Sequence, residues 1–162
     1  MTGYDLMQEF GSALNEFWSA KHSQIYPELK KLTEEGMIEY DVEISGNVLE
    51  KKVYTITEAG RQDFLDWLGR TEKIGETPKD VFRLRTFFLH DLPEEKRKTL
   101  LTDGLKQHQK RLQHLLNNQE KFEKIPDKED AAFGDYLVLR GAIMREETTC
   151  HWIEECIEMM EN

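Results

Sequence analysis

The chain has 162 residues, a charged fraction of 33%, a hydrophobic fraction of 38% and a formal net charge of −10 at pH 7. This length can bury the core of one domain, or of one small domain with an extension. The sequence has no apolar run long enough to span a bilayer and no signal peptide, so we expect a cytoplasmic protein with no membrane partner. The acidic balance lends nucleic-acid binding no general support, because proteins that bind DNA usually carry a basic surface.

The first fourteen residues are predicted to form a helix. Thr2 can cap this helix, because a threonine hydroxyl accepts a hydrogen bond from a free N–H in the first turn. Leu6, Phe10 and Leu14 recur four residues apart, so they are predicted to face a hydrophobic core. Tyr4 lies off this face.

A second helix is predicted from Ser23 or Gln24 to just before Gly36. Its apolar residues recur at helical spacing: Ile25, Leu29 and Leu32. Pro27 has no amide hydrogen to donate and is tolerated only near a first turn, which sets the predicted start. Gly36 follows two acidic residues, a conventional place for a helix to end. The helix therefore exposes polar side chains at its start.

Apolar and polar residues alternate from Ile38 to Ile44, and a second strand-like run extends from Glu50 to Ile56, which predicts a β-hairpin. Its register is predicted from side-chain pairs: Ile38 with Ile56, Tyr40 with Tyr54, Val42 with Lys52 and Glu43 with Lys51. A shift of one residue would oppose Glu43 to Glu50, and like charges directly opposite each other destabilise a sheet. A short helix followed by a two-stranded wing is the core of a winged helix-turn-helix.

Thr57 is predicted to cap a third helix, Glu58 to Leu68. Three apolar residues are predicted to form its inner face: Phe64, Leu65 and Leu68. Glycine and proline residues break the pattern within residues 69–78. We therefore predict two domains, residues 1–70 and residues 78–162.

The second domain is predicted to be all helical. Its helices are expected to run from Lys79 to His90, from Pro93 to Phe122 and from about Ala131 to Met160. The two long helices each carry a seam whose steps alternate between three and four residues, as in a coiled coil. We expect that one small chain cannot cover both seams, so we predict a homodimer built on this domain. The residues predicted at the dimer interface are Leu101, Leu105, His108, Leu112, Leu115, Phe122, Tyr136, Ile143, Ile153 and Ile157.

Polar residues interrupt both seams: His108, Gln119 and Glu146. They are predicted either to be partnered core groups that fix helix register, or to line an effector pocket with Tyr136 or Trp152 as an aromatic wall. No metal and no cofactor are predicted, because the five histidines show no paired ligand spacing. The sequence has no Gly-rich phosphate loop and no nucleophile elbow, so an enzyme is not expected.

Four motifs stand out in the first domain: Thr2-Gly3-Tyr4-Asp5-Leu6, Gln24-Ile25-Tyr26-Pro27-Glu28-Leu29-Lys30-Lys31-Leu32, Glu34-Glu35-Gly36-Met37-Ile38 and Tyr54-Thr55-Ile56-Thr57-Glu58-Ala59-Gly60-Arg61. Together they resemble the PadR family of bacterial transcriptional regulators. The Ile-Tyr-Pro and Thr-Glu-Ala-Gly elements at this separation are quite specific, whereas the C-terminal half resembles the longer members by pattern. Family members usually carry a further helix before the Gly-Tyr element, and this helix is apparently missing here. Three explanations stay open: the start was assigned to an internal methionine, the chain is shortened, or the helix is absent.

The resemblance implies a mainly α protein: an N-terminal winged helix-turn-helix with a two-stranded wing, followed by an all-helical C-terminal dimerisation domain. It also implies a dimeric repressor that binds a palindromic operator in double-stranded DNA and responds to a small-molecule effector. The residues predicted to contact DNA are Thr2, Tyr4, Lys21, Ser23, Gln24, Tyr26, Lys30, Lys31, Lys51 and Lys52. Within this set, Gln24 could read adenine with two hydrogen bonds, and the lysines would mostly meet phosphates.

One alternative stays open, a protein-interaction module whose degenerate winged helix does not bind DNA. The acidic first domain and the absent helix favour it. Charge reversal of Lys51 and Lys52 separates the two hypotheses, because an interaction module would be indifferent to that change.

Overall fold

The structure is a computed structural model that describes residues 1–10, 22–45 and 49–161. Contacts divide the chain into two units, Met1–Gly75 and Glu76–Asn162, which we describe separately. Leu14 and Lys21, which the sequence analysis assigned to the core and to DNA contact, lie outside the described residues. The predicted class is confirmed, since the described chain is mainly helical with one two-stranded antiparallel sheet.

The first unit contains three described helices and the hairpin. Their bounds are α1 (Gly3–Phe10), α2 (His22–Glu34), β1 (Ile38–Ser45), β2 (Leu49–Ile56) and α3 (Glu58–Leu68). The cap on α1 is reciprocal: the Asp5 N–H donates to Thr2 Oγ1 at 3.1 Å, and the Thr2 N–H donates to Asp5 Oδ2 at 2.7 Å. Both bonds satisfy groups that have no partner within the helix, so the predicted capping role of Thr2 is confirmed.

Helix α2 begins at His22, slightly before the predicted start, and Pro27 lies in its second turn. Its buried residues are Ile25 and Leu29. Gly36 ends the helix with φ 71°, a left-handed conformation that suits glycine. The Met37 N–H then donates to the Leu32 carbonyl at 2.9 Å, which closes the C-terminal turn as a Schellman motif.

The hairpin has the predicted register. Ile38 lies opposite Ile56, Tyr40 opposite Tyr54, Val42 opposite Lys52 and Glu43 opposite Lys51. The N-terminal segment runs along the other edge of β2, where Thr2 bridges Val53 and the Tyr54 N–H donates to the Met1 carbonyl at 2.8 Å. These bonds attach the start of α1 to the wing.

Helix α3 has the predicted bounds, and Thr57 caps it through its hydroxyl, which accepts from the Gly60 N–H at 3.1 Å. Gly60 brings the first turn against the loop between α2 and β1, where an added Cβ would lie 2.0 Å from the Met37 carbonyl oxygen. The predicted burial of the inner face is wrong, because Phe64, Leu65 and Leu68 are 48%, 47% and 56% exposed.

The second unit contains α4 (Val81–Phe87), a 3₁₀ turn (Leu89–Asp91), α5 (Glu94–Gln119) and α6 (Ala131–Glu161). Helix α4 is shorter than predicted, since Asp80 caps its start by accepting from the Arg83 N–H at 3.0 Å. Helix α5 ends at Gln119 instead of Phe122, which lies in the turn that follows. Within the described ranges, no helix is long and apolar enough to cross a membrane.

Helices α5 and α6 pack against each other within one chain. Of the residues predicted at a dimer interface, four have no exposed surface in the single chain: Leu101, Leu115, Ile143 and Ile153. The other six are partly exposed: Leu105, His108, Leu112, Phe122, Tyr136 and Ile157. The two seams therefore cover each other only in part, which leaves surface that a second chain could contact. The assignment of these residues to a dimer stays a prediction.

Candidate nucleic-acid interface

A groove in the first unit is bordered by the start of α1, by α2 and by the hairpin, and has a volume of about 1120 Å³. We call it the wing groove. Six of the residues predicted to contact DNA line it: Thr2, Tyr4, Tyr26, Lys30, Lys51 and Lys52. The rest of its described lining is Gly3, Asp5, Thr33, Glu34, Tyr40, Glu43, Glu50 and Tyr54. The fold thus brings together residues that lie up to 52 positions apart in the sequence.

Gly3 allows α1 and α2 to approach closely at the wall of this groove. It is buried, and a Cβ at this position would lie 2.9 Å from Cε1 of Tyr26 and 3.4 Å from Cδ1 of Leu29. The Tyr26 ring therefore rests against Gly3 and is still 48% exposed toward the groove side of α2. Gly3 is not among the residues predicted from the sequence, although its place beside Tyr4 in the first motif was the available signal.

Each lysine of the wing groove has a different neighbour. Lys30 Nζ lies 3.7 Å from Glu34 Oε1, with both side chains largely exposed. Lys51 faces Glu43 across the hairpin. Lys52 Nζ lies 4.0 Å from the centroid of the Tyr40 ring, a cation–π contact. The ring of Tyr40 in turn lies 5.6 Å from that of Tyr54.

Carboxylates offset the positive charge of the groove. Asp5, Glu34, Glu43 and Glu50 belong to its described lining together with the three lysines. The pKa of Asp5 is lowered mainly by the Thr2 backbone N–H and then by the Thr2 hydroxyl, and the charge of Lys51 adds to this. Asp5 is therefore ionised at neutral pH, and the groove is a surface of mixed charge.

Three further predicted contacts lie on α2 outside the described lining of the groove. Ser23 and Gln24 are exposed in the first turn, and Lys31 is exposed beside Lys30. Such first-turn side chains are the ones that a recognition helix directs to base edges. Two residues of the groove that the sequence analysis missed are Tyr40 and Tyr54, because their alternation predicted only an apolar strand face.

Two of the three polar residues of the helical seams, His108 and Glu146, are partnered with each other in the second unit. Glu146 Oε2 lies 2.6 Å from His108 Nδ1, and Glu146 Oε1 lies 3.0 Å from Arg111 Nε. This geometry favours the first of the two interpretations, in which polar groups on facing seams fix the register of α5 against α6. The aromatic rings named in the second interpretation also have intrachain partners: Tyr136 packs on Phe122 and Trp152 packs on Phe82.

Comparison with protein families identifies a match in each unit. A model described as "Transcriptional regulator PadR-like family" matches residues 1–66, and one described as "Virulence activator alpha C-term" matches residues 78–161. Over 164 residues the chain is 42% identical to the negative transcriptional regulator PadR of Bacillus subtilis, a span of 99% of this chain and 90% of that protein.

Solved structures match the whole fold. The crystal structure of Bacillus subtilis PadR in complex with operator DNA has a TM-score of 0.93 and 43% identity, and covers 99% of this chain and 91% of that one. The same regulator in complex with p-coumaric acid has a TM-score of 0.89 and 40% identity, over 100% and 91% of the two chains. These matches confirm the predicted winged helix followed by a helical C-terminal region.

Proposed function

Because the chain belongs to the PadR-like family of transcriptional regulators, we propose that it is a homodimeric repressor that binds a palindromic operator in double-stranded DNA. The observation that carries the proposal is the convergence of six predicted DNA contacts on the wing groove. The family is one of regulators, and the protein is not an enzyme.

In the proposed complex, α2 lies in the major groove and the hairpin lies on the sugar–phosphate backbone. Ser23 and Gln24 are exposed in the first turn of α2, where Gln24 can donate to and accept from one adenine edge. The lysines of α2 and of the hairpin meet phosphates, which fix position and orientation without reading sequence. Tyr4 and Tyr26 offer hydroxyl groups along the same surface.

This proposal assigns DNA binding and dimerisation to different domains of the chain. Residues 1–70 form the DNA-binding domain and residues 78–162 the dimerisation domain. Separate family matches to residues 1–66 and 78–161 support the division, as do the separate contact units. The partly exposed seam residues of α5 and α6 are the part of the predicted interface that a second copy can reach.

We also infer a cytoplasmic location, since a repressor must reach the bacterial chromosome. A small aromatic carboxylic acid is the effector class to test first, because the similar Bacillus subtilis regulator has been crystallised with p-coumaric acid. In this proposal the acid weakens operator binding and so releases repression. The operator and the regulated genes are to be sought first in the DNA upstream of the gene itself.

The direct test measures binding of the purified protein to a fluorescent duplex from the DNA upstream of its own gene. We expect saturable binding at low salt that weakens as salt rises, because neutralised phosphates release counterions. A duplex of the same length and shuffled sequence is the control and should bind more weakly. No binding at low salt, or equal binding to both duplexes, would overturn the proposal.

The acidic charge of the molecule supports one competing function. The whole chain has a net charge of −10, and four carboxylates belong to the described lining of the wing groove. The first unit therefore also fits a protein-interaction module that does not bind DNA. Such a module would bind neither the upstream duplex nor the shuffled duplex. It would also be unaffected by the loss of Lys51 and Lys52.

A further inference from the structure

Tyr40 stands in the wing groove beside a lysine and was predicted only as part of an apolar strand face. It lies directly opposite Tyr54, and Lys52 is the residue two positions earlier on the same strand as Tyr54. This diagonal relation places a long side chain within reach of the tyrosine ring. Lys52 Nζ accordingly lies 4.0 Å from the ring centroid, and Tyr40 is 39% exposed.

The neighbour of Lys52 differs in kind from the neighbours of the other groove lysines. Lys30 is paired with the carboxylate of Glu34, and Lys51 faces Glu43 across the hairpin. A carboxylate competes with DNA phosphate for an ammonium group, because both are anions that accept the same N–H donors. The face of a tyrosine ring attracts an ammonium group without neutralising it, which leaves the full charge available to a phosphate.

A lysine side chain that is already restrained in the free protein also loses less conformational entropy when it binds a phosphate. Lysine has a flexible four-carbon side chain, and immobilising such a side chain on binding weakens affinity by a factor of about two to ten. A ring that already restrains the ammonium group in the free protein removes part of that loss.

We propose that Tyr40 is a positioning residue for DNA binding: its ring holds the Lys52 ammonium group at the wing groove in place to meet a backbone phosphate. This role rests on the proposed function, because it has meaning only if the wing contacts DNA. It deepens that proposal by distinguishing Lys52 from Lys51, which the sequence treats as equivalent neighbours.

The test is a double-mutant cycle of operator affinity, measured by fluorescence anisotropy with the upstream duplex at several salt concentrations. The variants are Tyr40→Leu, Lys52→Gln and the two combined, with Tyr40→Phe as the variant that keeps the ring. We expect Tyr40→Leu to weaken binding about threefold to tenfold and Tyr40→Phe to bind within about twofold of wild type. In the Lys52→Gln background, Tyr40→Leu should have no further effect.

Circular dichroism of each variant keeps folding and positioning apart. If Tyr40→Leu fails to fold, Tyr40→Thr serves in its place, because a β-branched residue suits a strand. A loss for Tyr40→Leu that persists at full size in the Lys52→Gln background would overturn the positioning role, as would tighter binding by a ring-less variant. Wild-type protein that binds no DNA would overturn the proposed function and this role with it, whereas wild-type binding that Tyr40→Leu leaves unchanged would overturn the role of Tyr40 alone.

Discussion

Gly60 occupies a position where the backbone of one element meets another without room for a side chain. It lies in the first turn of α3, and an added Cβ would lie 2.0 Å from the Met37 carbonyl oxygen and 2.8 Å from its carbonyl carbon. Backbone atoms cannot move aside as the end of a flexible side chain can. The same loop is bonded to the Thr57 hydroxyl through the carbonyls of Gly36 and Met37, so a shift of α3 would break those bonds as well.

We therefore expect Gly60→Ala to lower the free energy of unfolding of the protein by ~1–3 kcal/mol, as overpacked core substitutions do. The measurement is the midpoint of thermal unfolding by circular dichroism. Gly134→Ala in α6 is the matched control, since nothing lies within 4 Å of its added Cβ, and alanine is the better helix former. Equal midpoints for the two variants would show that the α3 contact is not closely packed.

Lys51 and Lys52 are the residues whose charge separates the two candidate functions. We expect the double variant Lys51→Glu and Lys52→Glu to reduce operator affinity at least about tenfold at low salt. The logarithmic salt dependence should also become shallower, by about one in slope for each phosphate that the variant no longer neutralises. Fluorescence anisotropy across a salt series measures both quantities.

The control for this charge reversal has the same change in net charge at a different place. Lys110→Glu and Lys124→Glu alter exposed lysines of the second unit, so they test whether total charge alone accounts for the effect. If the control pair weakens binding as much as the wing pair does, the wing is not the DNA-contacting surface. If neither pair has an effect, the interaction module becomes the better hypothesis.

The α5–α6 hairpin is held in register by a polar contact as well as by its apolar core. The side chain of Glu146 is only 15% exposed and meets His108 and Arg111, both on α5. Truncating Glu146 removes a carboxylate that accepts from His108 and Arg111, whose side chains are 30% and 50% exposed, and the loss of such charge-assisted hydrogen bonds costs about 1–3 kcal/mol.

We expect Glu146→Ala to lower the free energy of unfolding by ~1–3 kcal/mol, measured by thermal unfolding of the full chain. Glu147→Ala is the neighbouring control, because that side chain is exposed and its loss should change stability by no more than about 0.5 kcal/mol. Glu146→Gln should fall between the two, since the amide oxygen can still accept a hydrogen bond. Identical stability of the Ala and wild-type proteins would contradict the structural role of this contact.

A second link joins the start of α5 to the end of α6. Lys98 Nζ lies 2.7 Å from Glu161 Oε1. This hydrogen bond, reinforced by the attraction between the two charges, lowers the pKa of Glu161 and raises the pKa of Lys98. The Glu161 contribution is present above its ordinary pKa of 4.5 and is lost as pH falls through the lowered value in the folded protein. The Lys98 contribution is present below its ordinary pKa of 10.5 and is lost as pH rises through the raised value.

Glu161→Gln should therefore lower the thermal midpoint slightly at pH 7, with a difference from wild type that disappears in acid once the carboxyl is protonated in both states. High salt should reduce the same difference, because both groups are exposed. Thermal scans at pH 7 and at low pH, each with and without salt, measure this. A difference that stays constant across pH would assign the effect of the substitution to something other than charge.

Elements that depend on local chemistry could be predicted from the sequence. The hairpin register followed from Glu43 and Lys51, because a slip by one residue would have opposed two carboxylates. The bounds of α3 followed from Thr57 and Gly69, whose capping preferences are local. The sequence could not predict which element packs against the apolar face of a given helix. Periodicity shows which residues share a face, but not whether that face meets another part of the same chain. For this reason the sequence did not predict that Phe64 and Leu65 are exposed, or that α5 and α6 pack against each other within one chain.

The sequence could predict several residues that line the wing groove, but not the contacts between its charged and aromatic side chains. Motif positions named Tyr4, Tyr26 and the lysines, and the fold brings them together. The Tyr40–Lys52 contact depends on the twist of the hairpin and on side-chain rotamers, which no sequence pattern specifies. The placement of Asp5 beside this surface depends likewise on how α1 joins the edge of β2.

At the scale of the whole molecule, an acidic chain can bind DNA if its few cations lie closest to the phosphates. The Debye length in physiological salt is about 8 Å, so exposed carboxylates farther than this from the DNA are largely screened. In the proposed complex the three lysines of the wing groove lie within that distance, and so do the four carboxylates of the same groove. One copy therefore gains little net attraction, so useful affinity requires that two copies bind together.

The proposed dimer therefore sets a geometric requirement on the operator. Two copies of α2 related by a two-fold axis can enter successive major grooves only if the half-sites lie on one face of the duplex, one helical turn or a multiple of it apart. Inserting about 5 base pairs between the half-sites rotates them to opposite faces, and binding by both copies at once is then lost. We expect affinity to fall about 100-fold or more, toward that of a single half-site, because linked binding raises affinity by that order.

The operator is first located by footprinting, and replacement of the central base pairs without a change in length is the control that should retain most of the affinity. Sedimentation of the complex should give two chains for each intact operator, and equal affinity for the wild-type and lengthened spacers would contradict binding by a rigid dimer.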